Sequence, residues 1–237
     1  ETPEKLKPHP ARVHGASPTR GGRAGGPAYA ELGATSNFTF LTGASHPEEL
    51  VERAAELGYR AIAVTDTNSL AGIVRAHVAA EQSGVQLVVG CRLVLATGEQ
   101  LLVYPTDRPA YSRLCRLLTL GKRRAPKGEC ELSLHDVAEH AAGLLCVAEP
   151  PGVVDDRYVE TLRWLRGVFD DDRLSVGAWC AYDGEDAARL DRVAALGAHV
   201  GAPMVATNRV LYHDASRRPL QDVLTCIRHG CTIERAG

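Results

Sequence analysis

Carboxylates able to act in acid–base or metal chemistry are scattered along this 237-residue chain. Two of the runs of neighbouring carboxylates are Glu48-Glu49 and Asp170-Asp171-Asp172. Paired carboxylates could serve general acid–base catalysis. However, Glu48-Glu49 falls in the first turn of a predicted helix, where the helix dipole favours negative charge. The aspartate run falls in a predicted loop, so neither run is interpreted as a catalytic pair.

The seven cysteines also lack the spacing of a metal or disulfide framework. No C-x-x-C pair occurs, and Cys226 and Cys231, the closest two, are weak support for a zinc site. We therefore expect reduced, buried thiols, as is usual for a cytoplasmic protein.

Charge and hydropathy give no overall sign of a nucleic-acid or membrane partner. Lys and Arg number 27 against 29 Asp and Glu, so no overall charge demands a nucleic-acid or membrane partner. No apolar run approaches the roughly 18 residues of a membrane-spanning helix. Lys122-Arg123-Arg124 with Lys127 is the one basic cluster of note. It could contact DNA phosphates, but a solvated loop is the interpretation we favour.

The elements that would position these residues alternate between strands and helices. Residues 1–28 are rich in Pro, Gly, Arg, Lys and Ser, and we expect a disordered leader there. Ser45 and Glu48 predict a capping box that opens the first helix. About seven strands, most separated by helices, indicate a closed or nearly closed parallel α/β barrel. An open doubly wound sheet fits almost as well, but no G-x-G-x-x-G turn follows a strand. Strands are predicted at 29–32, 60–65, 85–95, 101–104, 143–148, 174–182 and 203–207, and helices at 45–57, 70–83, 111–120, 133–136 onward, 158–169, 186–200 and 218–228.

Five separated motifs, in order, resemble the polymerase and histidinol phosphatase (PHP) domain found at the N-terminus of bacterial C-family DNA polymerases. They are residues 31–45, 63–72, 89–92, 206–212 and 217–227. The resemblance runs from about Tyr29 to the C-terminus. It implies a distorted (β/α)7-type PHP barrel over 29–213 and a helical connection over 214–237 toward a polymerase palm.

Active members of this family bind a metal cluster with His and carboxylate ligands, which suit Zn²⁺, Mn²⁺ or Fe²⁺. The matching positions in this chain have mostly lost such groups, and Asp66 is the one carboxylate that remains. The resemblance thus implies no catalytic, cofactor-binding or metal-binding residue in this segment. The changed positions are Gly33, Thr35, Thr42, Thr67, Arg92, Arg209 and Leu211.

Three side-chain roles remain open at the level of sequence. Asp66 could be a former ligand, but Asn68 and Ser69 follow it, which favours an Asx-type turn or helix cap. Arg92 and Arg209 could instead pair with Asp66, so that a salt bridge replaces the metal. Trp164 and Trp179 lie among apolar neighbours, and we expect them in the core or at an interface.

The run from Asn37 to Leu50 and the stretches 102–107 and 114–124 are similar to the error-prone, damage-tolerant subgroup of C-family polymerases. The resemblance implies a structural domain in an enzyme of DNA repair and translesion synthesis. Mg²⁺-dependent nucleotidyl transfer would then belong to an absent palm. Partners would be the palm and thumb, DNA through the parent protein, and possibly mutasome proteins and a sliding clamp. An active metal-dependent phosphoesterase or exonuclease, and a free-standing binding domain, are the alternatives.

Overall fold

The computed structural model describes residues 28–235. The leader expected over 1–28 lies outside the described residues, apart from Ala28. Among those residues the structure has eight strands and seven α-helices. The strands are β1 (Ala30–Ala34), β2 (Ala61–Val64), β3 (Gln86–Val89), β4 (Cys91–Val94), β5 (Gln100–Pro105), β6 (Leu144–Glu149), β7 (Leu174–Ala178) and β8 (Met204–Ala206).

The strands form two sheets. One has the order β1-β2-β3 and is parallel throughout. The other has the order β4-β5-β6-β7-β8 and is mixed, because β5 runs antiparallel to both β4 and β6. The expected α/β architecture is therefore confirmed, whereas the expectation that every strand is parallel is wrong.

Two seams join the sheets into a barrel-like shape. On one side, the backbone N–H of Thr35 donates to the carbonyl of Val210, 2.8 Å away. On the other, the N–H of Arg92 donates to the carbonyl of Asp66 at 3.1 Å. The N–H of Asn68 returns a bond to the carbonyl of Arg92 at 2.8 Å. The ends of β1 and β2 thus face residues of the second sheet.

The strand predicted over 85–95 is divided at Gly90, which separates β3 from β4 and one sheet from the other. A Cβ at this position would lie 2.7 Å from Cγ2 of Thr65 and 2.9 Å from the ring of Tyr104. Only glycine lets the chain pass so close to both side chains. A continuous apolar sequence conceals this break, which is why one strand was expected here.

The helices alternate with the strands largely as predicted. Ser133 and Asp136 form the expected capping box of α4. The first capping box is one residue later than expected, because His46 is the N-cap of α1 and its N–H donates to Glu49. The helices are α1 (Pro47–Glu56), α2 (Ile73–Ser83), α3 (Arg108–Arg124), α4 (Leu134–His140), α5 (Asp156–Val168), α6 (Asp186–Val200) and α7 (Arg218–His229).

Two apolar clusters form most of the core. The larger packs the second sheet against α3, α5 and α6, and it buries Leu114, Leu117 and Leu118 as the helical spacing predicts. The smaller packs α1 and α2 on the first sheet. Trp164 does not join the core, since 42% of it is exposed on α5. No helix among residues 28–235 is long and apolar enough to cross a membrane.

All seven cysteines lie in the described part of the chain, and all are free thiols there. Cys91, Cys146 and Cys226 are buried, as expected. Cys115, Cys130 and Cys231 are half-buried and Cys180 is exposed, so the expectation of buried thiols is wrong for these four residues.

The larger cluster predicts a sharp contrast between two leucine substitutions. Leu117 is fully buried, whereas Leu57 is 47% exposed at the end of α1. Leu117→Ala should lower the free energy of unfolding by about 2–5 kcal/mol because it leaves a cavity in the core. Leu57→Ala should cost less than about 1 kcal/mol. Urea unfolding of both variants checks this, and equal losses would contradict the assigned packing.

Candidate functional site

The candidate site lies where the carboxyl ends of several strands converge. Asp66 follows β2, Glu149 ends β6, and Trp179 follows β7. Arg209 follows β8, and Arg92 lies in β4 beside the end of β2. Carboxyl ends of strands are the usual place for functional groups in barrels and in open α/β sheets.

Asp66 is buried and holds the loop that follows β1. Its carboxylate accepts from the backbone N–H of Ser36 at 2.9 Å and from the Ser36 hydroxyl at 2.7 Å. The hydroxyl of Thr39 donates to it at 2.8 Å. Burial raises the pKa of Asp66 above its ordinary value, and the bonds from Ser36 and Thr39 oppose that rise. The expected local Asx-type turn is wrong, because the bonding partners lie about thirty residues away in the chain.

Arg92 and Arg209 converge on one buried carboxylate, which is Glu149 and not Asp66. The Nε of Arg209 donates to Oε1 of Glu149 at 3.0 Å. The guanidinium of Arg92 pairs with the other oxygen, Oε2. The expected salt bridge therefore forms with a different acidic residue. Arg209 also stacks on Trp179, with the guanidinium carbon 3.6 Å from the ring centroid.

Electrostatics at this point favour anions over cations. Burial, followed by repulsion from Arg209, lowers the pKa of Arg92 to about 10. Burial also lowers the pKa of Arg209 to about 10. Both side chains therefore remain protonated at neutral pH and outnumber the single carboxylate between them. A divalent cation approaching Glu149 would meet two fixed positive charges.

The other positions that match the family's ligands serve the backbone or neighbouring loops. A Cβ at Gly33 would touch the carboxylate of Glu31, 3.4 Å away. The N–H of Thr67 donates to the Thr39 hydroxyl at 2.9 Å. The Thr42 hydroxyl accepts from Arg228 at 2.7 Å, and the carbonyl of Leu211 accepts from the N–H of Ala44 at 2.8 Å.

These donors do not fit a metal cluster. Within residues 28–235, no three His, Cys, Asp or Glu side chains come together closely enough to hold a metal ion. Two histidines near the site have other partners: His46 bonds with Asn37 at 2.8 Å, and His213 bonds with Ser45 at 2.7 Å. Threonine, glycine and arginine cannot replace imidazole and carboxylate as ligands.

A cleft of about 470 Å³ opens beside the arginine pair. Glu149, Trp179 and Arg209 form one wall, and Gln100, Arg157 and Tyr158 lie around it. Tyr158 is buried, and burial raises its pKa well above the ordinary value. Trp179 is only half-buried in this wall, so it belongs to the site and not to the core.

The loop expected for the basic cluster is wrong for three of its four residues, and only Lys127 lies in the turn after α3. Lys122, Arg123 and Arg124 form the last turn of α3, where positive charge complements the helix dipole. Arg124 also donates to the carboxylate of Asp136 at 2.7 Å, which joins α3 to α4. This pairing supports a structural role for Arg124.

Comparison with known proteins agrees with the geometry. A profile of the PHP domain family matches residues 32–175. This chain belongs to the PHP domain family. That assignment agrees with the five motifs in the sequence, with the α/β barrel and with the placement of the altered positions near the strand ends.

The similar curated proteins are named error-prone DNA polymerases. This chain is 50% identical to the error-prone DNA polymerase of Caulobacter vibrioides, in a match that covers 89% of this chain. It is 47% identical to error-prone DNA polymerase 1 of Agrobacterium fabrum, again over 89% of this chain. It spans 20% and 19% of those two proteins, respectively. The chain therefore corresponds to about one fifth of these relatives, consistent with an N-terminal PHP domain.

Two solved structures share the fold at low sequence identity. One is a candidate metal-dependent phosphoesterase from Bifidobacterium adolescentis, with a TM-score of 0.59 and 16% identity over 79% of this chain and 89% of that one. The other is an amidohydrolase from Chromobacterium violaceum, solved with bound sulfate and no metal. Its TM-score is 0.59 and its identity 16%, over 78% of this chain and 88% of that one. At this identity the likeness establishes the fold of the PHP chain and nothing more.

Sequence reasoning missed Glu149 as a site residue. A signal was present, because an acidic residue ends the apolar strand β6 and is followed by Pro150 and Pro151. Glu31 was missed as well; it is buried and accepts from the N–H of Gly33 at 2.6 Å and from Tyr29 at 2.9 Å. A buried charge in an otherwise apolar strand requires a partner, and this requirement could have identified both glutamates as site residues from the sequence.

Removing the shared carboxylate should destabilise the domain strongly. Glu149→Gln leaves the buried Arg92 beside the half-buried Arg209 without a counter-charge, which should cost up to about 3–5 kcal/mol of unfolding free energy. Glu56→Gln is the matched control, because Glu56 pairs with Arg53 on the surface and should cost less than about 1 kcal/mol. Denaturant unfolding at neutral pH measures both. A small loss of unfolding free energy in Glu149→Gln would contradict the prediction, because it would mean that solvent already screens the two arginine charges.

Asp136 should make stability depend on acid pH. Burial alone would raise its pKa, but hydrogen bonds from Arg124 and Ser133 outweigh burial and lower it to about 2. Because the folded-state pKa lies below the unfolded one, the stabilisation is complete above pH 4 and is lost as pH falls toward 2. Asp136→Asn should cost about 1–2 kcal/mol at pH 7, because it weakens the charge-assisted bonds from Arg124 and Ser133.

The difference between Asp136→Asn and the unsubstituted protein should shrink over that acid range, as followed by urea unfolding at several pH values. Asp172→Asn, in the exposed turn before β7, is the control for removing a surface carboxylate. A difference that stays constant down to pH 2 would contradict the assigned role of Asp136.

Proposed function

We propose that this chain is a metal-free, catalytically degenerate PHP domain that gives structural support to an error-prone DNA polymerase. The observation that carries the proposal is the Arg92–Glu149–Arg209 cluster beside the strand ends. It puts two fixed cations where active relatives would need metal ligands. A second support is that the altered positions engage the backbone and neighbouring loops.

The salt-bridge cluster could take over the mechanical role of a metal. A bound metal ion cross-links the strand ends that provide its ligands. Glu149 does the same with side chains, since it joins the end of β6 to β4 through Arg92 and to the segment after β8 through Arg209. Stacking on Trp179 adds the segment after β7. The barrel would thus keep its shape without depending on metal supply.

Polymerase chemistry would belong to the parent protein. Nucleotidyl transfer needs carboxylates that hold Mg²⁺ around the incoming nucleotide. We expect those residues in a palm outside this segment, since relatives named error-prone DNA polymerase are about five times longer than the matched region. The reaction of the parent would be DNA-directed DNA synthesis during damage-induced mutagenesis and translesion synthesis.

Partners and location follow from the same proposal. The palm and thumb would be intramolecular partners, and DNA would be bound by the parent protein. Mutasome proteins and a sliding clamp are candidate further partners, in the cytoplasm. Loss of a hydrolytic site is understandable in a polymerase that inserts opposite damaged bases, because removing mismatched ends would undo its product.

The two alternatives have less support. A metal-dependent phosphoesterase would agree with the description of one fold neighbour, but that likeness carries only the fold, and the donors at the strand ends do not suit metal. A free-standing binding domain is disfavoured because the relatives are far longer than the matched segment.

Metal analysis tests the proposal directly. The purified protein, loaded with Mn²⁺ or Zn²⁺ and then dialysed, should retain less than about 0.1 metal ion per chain, because its donors cannot form a closed site. Hydrolysis of a chromogenic phosphodiester should equal that of the buffer. A PHP protein that keeps its His and Asp ligands, treated identically, is the positive control. Stoichiometric metal with hydrolysis would overturn the proposal.

A further inference from the structure

Helix α7 exposes an apolar face that nothing within residues 28–235 covers. Leu220, Val223 and Ile227 are 42%, 40% and 58% exposed, and their spacing places them along one side of the helix. Cys226 is the only buried residue of α7. A helix that is fully packed against the core of its domain buries its apolar side, and α7 does not.

A second exposed apolar element lies next to this face. The loop between β1 and α1 carries Phe40, which is 85% exposed, and Phe38, which is 39% exposed. Phe40 and Leu41 line a groove of about 270 Å³ whose other wall includes Leu220 and Leu224 of α7. Such a set of neighbouring large side chains differs from isolated surface hydrophobics, which need no explanation.

The loop and helix are held together by polar bonds. Arg228 on α7 donates to the Thr42 hydroxyl at 2.7 Å, and Arg217, just before α7, donates to Glu49 of α1 at 2.6 Å. The loop is also fixed from inside, since Asp66 accepts from Ser36 and Thr39. The apolar surface is therefore presented in a defined shape and bordered by charged side chains, as protein interfaces are.

We propose that the α7–Phe40 surface, defined as Phe40, Leu220, Val223 and Ile227, binds the remainder of the polymerase chain. This inference rests on the proposed function, in which the segment is part of a longer protein. The identity of the occupant is inferred from the relatives, because about four fifths of their length lies outside the matched region. Residues 233–235 follow α7 directly and include Ile233, 55% exposed, so polypeptide that continues from there begins beside this surface.

An intramolecular partner also agrees with the size of the surface. A few large side chains around one groove form a small patch, and a small patch suffices when the partner is tethered at high effective concentration. An independent partner, or a second copy, would need a larger area to bind stably. Tethering thus favours the same polypeptide over a separate protein.

Photo-crosslinking in the full-length polymerase tests the proposal. A benzophenone amino acid replaces Ile227 in one variant and Phe40 in another, and crosslinked peptides are identified by mass spectrometry. Both positions should crosslink within one chain to residues beyond 237, with a yield at least about tenfold above that of the control, as expected for direct interface contact. The matched control is Val74, which is 72% exposed on α2 and lies outside the defined surface.

A substitution series gives a second measurement. Ile227→Glu should increase the rate of limited proteolysis after α7 by about tenfold in the full-length protein, because it places a charge in the interface. Val74→Glu should leave that rate unchanged. A normal circular dichroism spectrum of Ile227→Glu excludes simple unfolding. Crosslinks to a second copy, or yields at 40 and 227 no higher than at 74, would overturn the assignment of the surface.

The two proposals can fail separately. Retained metal would reject the degenerate site without affecting the crosslinks. Absence of crosslinks in a metal-free, folded polymerase would reject the surface and leave the proposed function standing.

Discussion

The structure depends on one buried ionic cluster, in which Glu149 lies between Arg92 and Arg209. Opposite charges with limited access to solvent interact strongly, but desolvation consumes most of that energy. The net contribution to stability is therefore modest while all three groups are present. What the cluster provides is geometry, because a guanidinium offers fixed donors and a carboxylate fixed acceptors. Four segments of the second sheet, β4, the end of β6 and the segments after β7 and β8, are thereby joined around the cleft.

Under the proposed function, the two arginines explain how a domain without its metal ligands can remain folded. Removing metal ligands and leaving small polar residues would create a wet, loosely packed hollow. Arg92 and Arg209 both pair with the acidic side chain, Arg92 from a buried position and Arg209 from the wall of the cleft. Both pKa values fall to about 10, yet protonation at neutral pH is retained, so the charge balance is insensitive to physiological pH. A lysine could not form the same pair of directional contacts.

Much of the fold could be predicted from the sequence, because its local signals agree with each other. The helical spacing of Leu114, Leu117 and Leu118 and the capping box at Ser133 both agree with the structure. The failures have specific causes. The break at Gly90 follows from a close approach of Thr65 and Tyr104, which are distant in sequence. Ser45 fits a capping signature, but a tertiary bond to His213 uses its hydroxyl and shifts the N-cap to His46.

The candidate site was less predictable than the fold, since its partners are set by tertiary contacts. Motif resemblance located Asp66, Arg92 and Arg209 near the strand ends, but it named Asp66 as the acidic partner, which in the structure is Glu149. The partner depends on which strands are neighbours. Glu149 lies in the same sheet as Arg92, whereas Asp66 ends a strand of the other sheet and is already satisfied by Ser36 and Thr39.

The retention of Asp66 then has a physical explanation that does not involve metal. Its carboxylate organises the loop that begins at Ser36, and that loop presents Phe40 beside α7. From the other side, Arg228 holds the same loop through Thr42. Asp66 is thus connected, through one short loop, to the apolar surface of the domain.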